Sequence, residues 1–322
     1  MTGVIKLPQI KRVLADAPTA KLIQSIEDGF VAYSQNRVGV PPVGHLQFEQ
    51  PAGDVHIKYG YMEDGDYYVV KVASSFYDNP KQGLTSSNGS MTVYDRKTGE
   101  CRAILLDEGY LTDVRTALAG AAIARHLAPS HISAIGIVGT GTQARFQLQH
   151  LKDVLDCRKV YAWGRSEEQL QKYREDMVLH GFDITTTHDM NVLMDNCNYV
   201  VTTTPSIEPL IQTSMVRPGT HITAVGADVA SKQELDPEIV AMADIVVVDS
   251  LSQCIDHGEV SHAIHQKLVR PEKLTEFGNF ILRGANREND QQITIADLTG
   301  VAVQDIQIAT LVYKGMHDHG NK

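Results

Sequence analysis

No stretch constrains this chain more than Ile135-Gly136-Ile137-Val138-Gly139-Thr140-Gly141-Thr142-Gln143-Ala144. An apolar run predicts a strand, and the spacing Gly139-x-Gly141-x-x-Ala144 opens directly into a predicted helix. Each residue type has a physical reason. Gly139 permits the tight turn, Gly141 lets backbone approach a pyrophosphate, and the small Ala144 lets helix pack on strand. The helix start then offers unpaired N–H groups and a partial positive charge to phosphates. Glycine-rich turns also arise for purely backbone reasons, so the context decides. Here strand, turn, helix and a further strand follow in the required order. Residues Gly139, Thr140, Gly141, Thr142, Gln143 and Ala144 are therefore read as cofactor-binding.

The next predicted strand ends at Trp163-Gly164-Arg165-Ser166. An acid at that position would bind the ribose 2′-hydroxyl of NAD, and none is present. Arg165, with the hydroxyl of Ser166, suits a 2′-phosphate, so NADP(H) is favoured over NAD(H). A solvated loop arginine is the competing reading.

Around this turn the chain divides in texture. Ala17 to Gln35 carries Leu22, Ile23, Ile26, Phe30 and Val31 at helical spacing. Strand-like runs follow at 56–62, 67–73, 90–95 and 101–106. Arg96-Lys97-Thr98-Gly99 forms the hairpin turn between the last two. Short turns between consecutive strands predict an antiparallel sheet. Residues 114–127 are Ala-rich and helical. Strands at 134–138, 160–163, 199–202, 221–225 and 245–248 then follow, with helices at 143–155 and 167–179 between the first three. That alternation predicts a doubly wound parallel sheet. The tail after Met316 reads as frayed.

Composition excludes several classes. The chain has 322 residues, beyond what one compact core usually holds, and a net charge of −10. Without a basic run to track a phosphate backbone, nucleic acid is not an expected partner. No apolar run approaches the roughly 20 residues needed to span a bilayer, so no membrane association is expected. The start of the chain lacks the apolar stretch of a signal peptide, and a cytoplasmic protein is expected. Cys101, Cys157, Cys197 and Cys254 stand far apart and form no CxxC pair, so metal-ligand spacing is absent, and a disulfide framework is not expected in a chain this long. His257, His262 and His265 lack the cysteine or paired carboxylates that would complete a metal set, and no metal is expected.

Several stretches together resemble the ornithine cyclodeaminase/μ-crystallin family along essentially the whole chain. They are Val70-Lys71-Val72 with Asp78-Asn79-Pro80 and Gly83-Leu84, Leu111-Thr112-Asp113-Val114-Arg115-Thr116, the glycine turn, and Gly226-Ala227-Asp228 with Lys232-Gln233-Glu234-Leu235-Asp236. Asp297-Leu298-Thr299-Gly300-Val301-Ala302-Val303-Gln304-Asp305 resembles a further family block. The resemblance implies an α/β chain in which a Rossmann doubly wound sheet is inserted into an α+β substrate-binding and dimerisation domain. The expected bounds are 1–115 plus 300–322 for the latter and 116–299 for the former. It also implies a homodimer, a nicotinamide cofactor, and hydride exchange at a carbon bearing nitrogen in a small imino or amino acid.

Residue by residue, the resemblance makes Lys71 and Arg115 the carboxylate-binding pair and Asp228 the acid–base group, near the cofactor. On sequence alone, Lys71 in the apolar run Tyr68–Ala73 reads rather as an outward-facing sheet lysine. Arg115 reads as an interdomain salt-bridge partner, and Asp228 as a helix N-cap. Arginine's planar fork does match a carboxylate. Ser86 aligns with a family hydroxyl residue. Thr116, Thr203, Thr204, Pro205, Thr299 and Gly300 are expected near the dinucleotide. Where many relatives carry a cation, this chain has Val43, and His45 or Lys58 is the candidate replacement in the substrate pocket.

Three functions remain open at this point. The leading one is an NAD(P)H-dependent imino-acid reductase or amino-acid dehydrogenase. The second is a cyclodeaminase that uses bound NAD and releases ammonia, served by the same residues. The third is a cofactor-loaded binding protein without turnover, against which an intact Asp228 argues.

Overall fold

The computed structural model describes residues 2–320. Contacts divide the chain into two compact units, one formed by residues 1–115 and 301–322 and the other by residues 116–300. No helix among the described residues is long and apolar enough to cross a membrane.

The discontinuous unit begins with β1 (Gly3–Lys6), α1 (Leu7–Asp16) and α2 (Thr19–Ser34). Then come β2 (Val38–Gly39), β3 (Gly44–Phe48), β4 (Gly53–Met62), β5 (Tyr67–Phe76), β6 (Ser87–Asp95) and β7 (Cys101–Leu106). The sheet runs β1-β7-β6-β5-β4-β2, with β3 also pairing β4. All its pairs are antiparallel except β1 with β7. Gly99 takes φ 73° at the β6–β7 turn, as that hairpin demands. Helix α3 (Tyr110–Leu127) follows, and the division between the units falls within it.

Strand parity decides which side chains enter this core. Register pairs Lys58 with Lys71, Lys71 with Met91, and Met91 with Leu105, so all four share one face. That face also carries Val69, Val93, Ala103 and Ile5, all buried. α11 (Ala302–Gly320), the returning C-terminal helix, contacts β4, β5 and β6 as well as α2. The opposite face presents Leu46, Tyr59, Tyr61, Val72 and Leu106, all exposed. α11 stays helical past Met316 to Gly320, where fraying was expected, and the two final residues lie outside the described ones.

The second unit is a parallel sheet of eight strands in the order β10-β9-β8-β11-β12-β15-β13-β14. In chain order these are β8 (Ile135–Val138), β9 (Lys159–Trp163), β10 (Asp183–Thr187), β11 (Tyr199–Thr202), β12 (His221–Ala224), β13 (Ile245–Val248), β14 (Leu274–Glu276) and β15 (Thr294–Asp297). Helices α4 (Thr142–Leu151), α5 (Glu167–Leu179) and α6 (Met190–Asn196) connect the first strands. α7 (Pro237–Met242), α8 (Leu251–Cys254), α9 (Glu259–His265) and α10 (Phe277–Leu282) lie among the last.

β8 starts the chain through this sheet at its middle. Strands are then added outward on one side to β10 before the chain crosses to β11 on the other. The strand order therefore reverses between β8 and β11, and ligands of open α/β sheets bind beyond the carboxyl ends of strands at such a switch point. β15 enters between β12 and β13, which pulls the Asp297–Gly300 segment to the same end of the sheet.

Candidate functional site

Within the discontinuous unit, burial and charge concentrate around Lys71. Its side chain is 3% exposed and Nζ lies 2.9 Å from Asp305 Oδ1 on α11. Arg115 Nε lies 3.1 Å from the same oxygen, and its Nη1 donates to Gln304 Oε1 at 2.7 Å. Parity thus turns Lys71 inward, and a carboxylate from the far end of the sequence meets it. Burial pushes the Lys71 ammonium below the ordinary lysine range. The Asp305 carboxylate opposes that push, while Arg115 and Lys58 add to it. Burial alone would raise Asp305, yet Lys71, Arg115 and Lys58 hold it below its usual value. Asp107 is buried beside them, with Oδ2 accepting from Leu111 N at 2.9 Å at the start of α3. Burial raises its pKa, and the Leu111 N–H and the Lys71 ammonium oppose that rise. Lys71 and Arg115 therefore share one oxygen of Asp305, with Lys58 on the same face of the sheet.

His45 pairs across β3–β4 with His56, ring centroids 4.8 Å apart, and parity puts both on the Lys58 and Lys71 face. His45 itself is exposed. Ser86 is exposed just before β6, and its carbonyl accepts from Phe76 N at 2.8 Å.

In the parallel unit, the glycine turn takes the expected form. Gly139 has φ 115°, and a Cβ there would lie 2.7 Å from Thr203 Oγ1. At Gly141 an added Cβ would meet nothing within 4 Å, so open space stands at the start of α4. Ala144 is fully buried. A cavity of about 700 Å³ opens here, lined by Gly139 to Gly141, Gly164, Arg165 and the loop from Thr203 to Leu210. Open space above a glycine at a ten-residue helix's first turn is what an anionic pyrophosphate needs, so the turn fits a dinucleotide.

Of the other expected cofactor residues, Arg165, Thr203, Thr204 and Pro205 line that cavity, and Thr116, Thr142, Gln143, Ser166, Thr299 and Gly300 are not among its lining residues. Thr203 N and Oγ1 both donate to Val138 O, at 2.9 and 3.0 Å, which ties the β11 loop to the end of β8. Arg165 is exposed, with no side-chain hydrogen bond or ion pair among the described residues. Ser166 caps α5, its Oγ accepting from Gln169 N at 3.4 Å. Thr142 is exposed at the start of α4, Gln143 Oε1 accepts from Gln147 Nε2 at 3.5 Å, and Pro205 is exposed. Thr116 O accepts from Gln147 Nε2 at 3.1 Å. Thr299 Oγ1 donates to Asp249 Oδ1 at 2.9 Å and Gly300 N to Oδ2 at 2.6 Å.

Asp228 follows β12 with its side chain 53% exposed, 2.6 Å from Lys232 Nζ. It caps no helix. A ring nitrogen of His262 lies 2.9 Å from Lys232 O, so that histidine braces the same loop. Among the described residues, no group of three or more His, Cys, Asp and Glu side chains is placed to hold a metal.

Four residues that hold these loops and charges in place are not singled out by the sequence reading. Asp305 lay in a family block without a role of its own. Arg145 donates to the carbonyls of Thr140 and Gly141 and stiffens the turn. Glu234 accepts from Thr204 N at 2.6 Å and Gly226 N at 3.0 Å. Glu259 in turn accepts from Glu234 N and Leu235 N at 2.7 and 2.9 Å. A tertiary hydrogen bond to a distant backbone leaves no periodicity in sequence.

The model of the ornithine cyclodeaminase/mu-crystallin family matches residues 6–320. An uncharacterized cyclodeaminase of Sinorhizobium fredii is 41% identical over 298 residues, covering 91% of this chain and 89% of the relative. An archaeal alanine dehydrogenase, solved as a dimer with bound NAD, superposes with a TM-score of 0.89 at 31% identity, covering 99% of this chain and 97% of the other. Delta(1)-pyrroline-2-carboxylate reductase of Thermococcus litoralis, solved with NADH and L-proline, gives a TM-score of 0.90 at 25% identity, covering 99% and 98%.

Burial raises the carboxyls of Glu234 to about 7 and Asp297 to about 8, with Asp249 and Glu234 adding repulsion at Asp297. An acid held higher in the fold than in the unfolded chain favours folding below its unfolded value, and that advantage is lost as pH climbs through the folded value. The thermal midpoint of the protein should therefore fall between about pH 5 and about pH 8. Asp297→Asn should flatten that decline in a pH series of melting curves, and an unchanged slope would contradict the assignment.

Proposed function

Because the chain belongs to the ornithine cyclodeaminase/mu-crystallin family, we propose that it is an NAD(P)H-dependent reductase of a small α-imino acid, or the matching amino-acid dehydrogenase. The observation that carries this reading is the buried pair of cations, Lys71 and Arg115, sharing the single carboxylate of Asp305. Their further hydrogen-bonding capacity at a desolvated site suits an anion, and a substrate carboxylate supplies one. Related proteins solved with NAD, or with NADH and L-proline, support the cofactor and substrate class.

A nicotinamide dinucleotide, when bound, supplies or accepts the hydride. Gly139 to Ala144 would hold its pyrophosphate, with Thr116, Thr203 to Pro205, Thr299 and Gly300 beside the remainder. Lys71 and Arg115 fix the carboxylate, and Lys58, with His45 near it, extends the positive face. Asp305 keeps Lys71 and Arg115 oriented. Asp228, exposed and close to solvent, gives or takes the proton at the substrate nitrogen. The discontinuous unit is the substrate-binding and dimerisation domain in this reading.

Reduced-nicotinamide absorbance should fall when the protein meets pyrroline-2-carboxylate, or pyruvate with ammonia. Lys71→Met should lower kcat/KM about 10- to 150-fold, since a charge-assisted bond is worth about 1.5–3 kcal/mol. The relative named a cyclodeaminase makes ornithine the decisive control. Ammonia released from ornithine without net change in nicotinamide absorbance would overturn the reductase reading.

Arg165, exposed at the end of β9 and lining the cavity, makes NADP(H) the favoured cofactor. Arg165→Ala should raise the KM for NADPH about 10- to 100-fold and leave that for NADH nearly unchanged. Equal effects on both would reject the 2′-phosphate role.

The exposed apolar face with Leu46, Tyr59, Tyr61, Val72 and Leu106 is the surface we assign to homodimerisation. Sedimentation of the wild type should give a dimer and of Val72→Glu a monomer. A dimer unmoved by that charge would place the interface elsewhere.

A further inference from the structure

Loops after β11 and β12 carry the residues proposed to meet the cofactor and to move the proton, and one side chain bridges them. We infer that Glu234 is a positioning residue that locks the Thr203–Leu210 loop to the Gly226–Asp228 loop, so fixing where Asp228 is presented. This rests on the reading of Asp228 as the acid–base group.

The geometry is specific. Glu234 is fully buried, and its two oxygens take one backbone N–H from each loop, Thr204 N at 2.6 Å and Gly226 N at 3.0 Å. Its own carbonyl accepts from Leu210 N at 2.7 Å and Ile211 N at 3.1 Å. One residue thus pins the cavity-lining loop at both ends. Between them, Gln233 N donates to Ser206 O at 2.8 Å.

Gly226 is required for this lock. A Cβ there would lie 2.4 Å from Glu234 Oε2 and 2.2 Å from Thr204 O. The lock is itself held, because both oxygens of Glu259 accept from the backbone of Glu234 and Leu235. Asp297 Oδ2 then accepts from Val260 N at 2.9 Å, one residue beyond Glu259. Buried backbone donors left unpaired are costly, so these carboxylates define loop positions rather than follow them.

Only a carboxylate supplies two acceptors here. Glu234→Gln puts an NH2 group against one of two N–H donors and releases one loop. Gly226→Ala attacks the same lock from the other side while keeping Glu234.

The test measures kcat and KM for cofactor and substrate in full-length Glu234→Gln, Gly226→Ala and Asp228→Asn, each well below its melting temperature. Loss of positioning should lower kcat on the order of 10- to 100-fold in the first two, with both KM values within about threefold of wild type. A merely structural role would lower the melting temperature and leave kcat of the folded protein unchanged. That result overturns the inference. Should Glu234→Gln fail to fold, Gly226→Ala is judged by the same criteria. If Asp228→Asn keeps wild-type kcat, the acid–base reading fails. If it is inactive while both lock variants turn over normally, only the lock fails.

Discussion

The ion cluster of Lys71, Arg115 and Asp305 is the constraint on which the discontinuous unit depends. A lysine in the middle of a buried strand face is costly unless it is paired, and Asp305 pairs it from 234 residues away. The partner stands on α11, so the chain must leave the first unit, complete a second, and return. Removing the carboxylate would strand two buried cations, which costs about 3–5 kcal/mol where such pairs are broken. The same arrangement explains the chemistry. One fixed carboxylate orients two donors, whose further hydrogen-bonding capacity we assign to a substrate carboxylate.

The parallel unit balances its charges in the opposite way. Glu234, Glu259, Asp249 and Asp297 are all buried near the carboxyl ends of the strands, and backbone N–H groups are among their main partners. Backbone dipoles point the loops toward these acids, while the first turn of α4 keeps its own N–H groups open beside Gly141. Open N–H groups thus stand at one helix start, and the neighbouring loops are stiffened by buried carboxyl groups that accept from their backbone. Stiff loops hold reacting groups in place without reorganisation during the reaction.

How much of this was legible depends on whether a signal is local. β7, β11, β13 and α5 end where apolar runs and turn residues predicted. The glycine turn declared its strand, its helix and its ligand class together. β10 and β15 lack a continuous apolar run, since Asp183–Thr187 is Thr-rich and Thr294–Asp297 is polar at both ends, and β15 enters the sheet out of sequence order. Helix 143–155 was read past its end: α4 stops at Leu151, where Val154 N and Leu155 N both turn back to Leu151 O. Lys71 was ambiguous in sequence, since direction on a strand follows from register with neighbours. Asp305 and Glu234 became visible only through their partners.

The most direct test of the account is the ammonium of Lys71 itself, followed by nitrogen-15 NMR of labelled lysine as L-proline or L-alanine is added with the oxidised cofactor. A carboxylate bound by Lys71 and Arg115 predicts a saturable shift of the Lys71 resonance, assigned by its loss in Lys71→Met. A Lys71 resonance that does not move, while the amino acid demonstrably binds or reacts, would contradict the central claim.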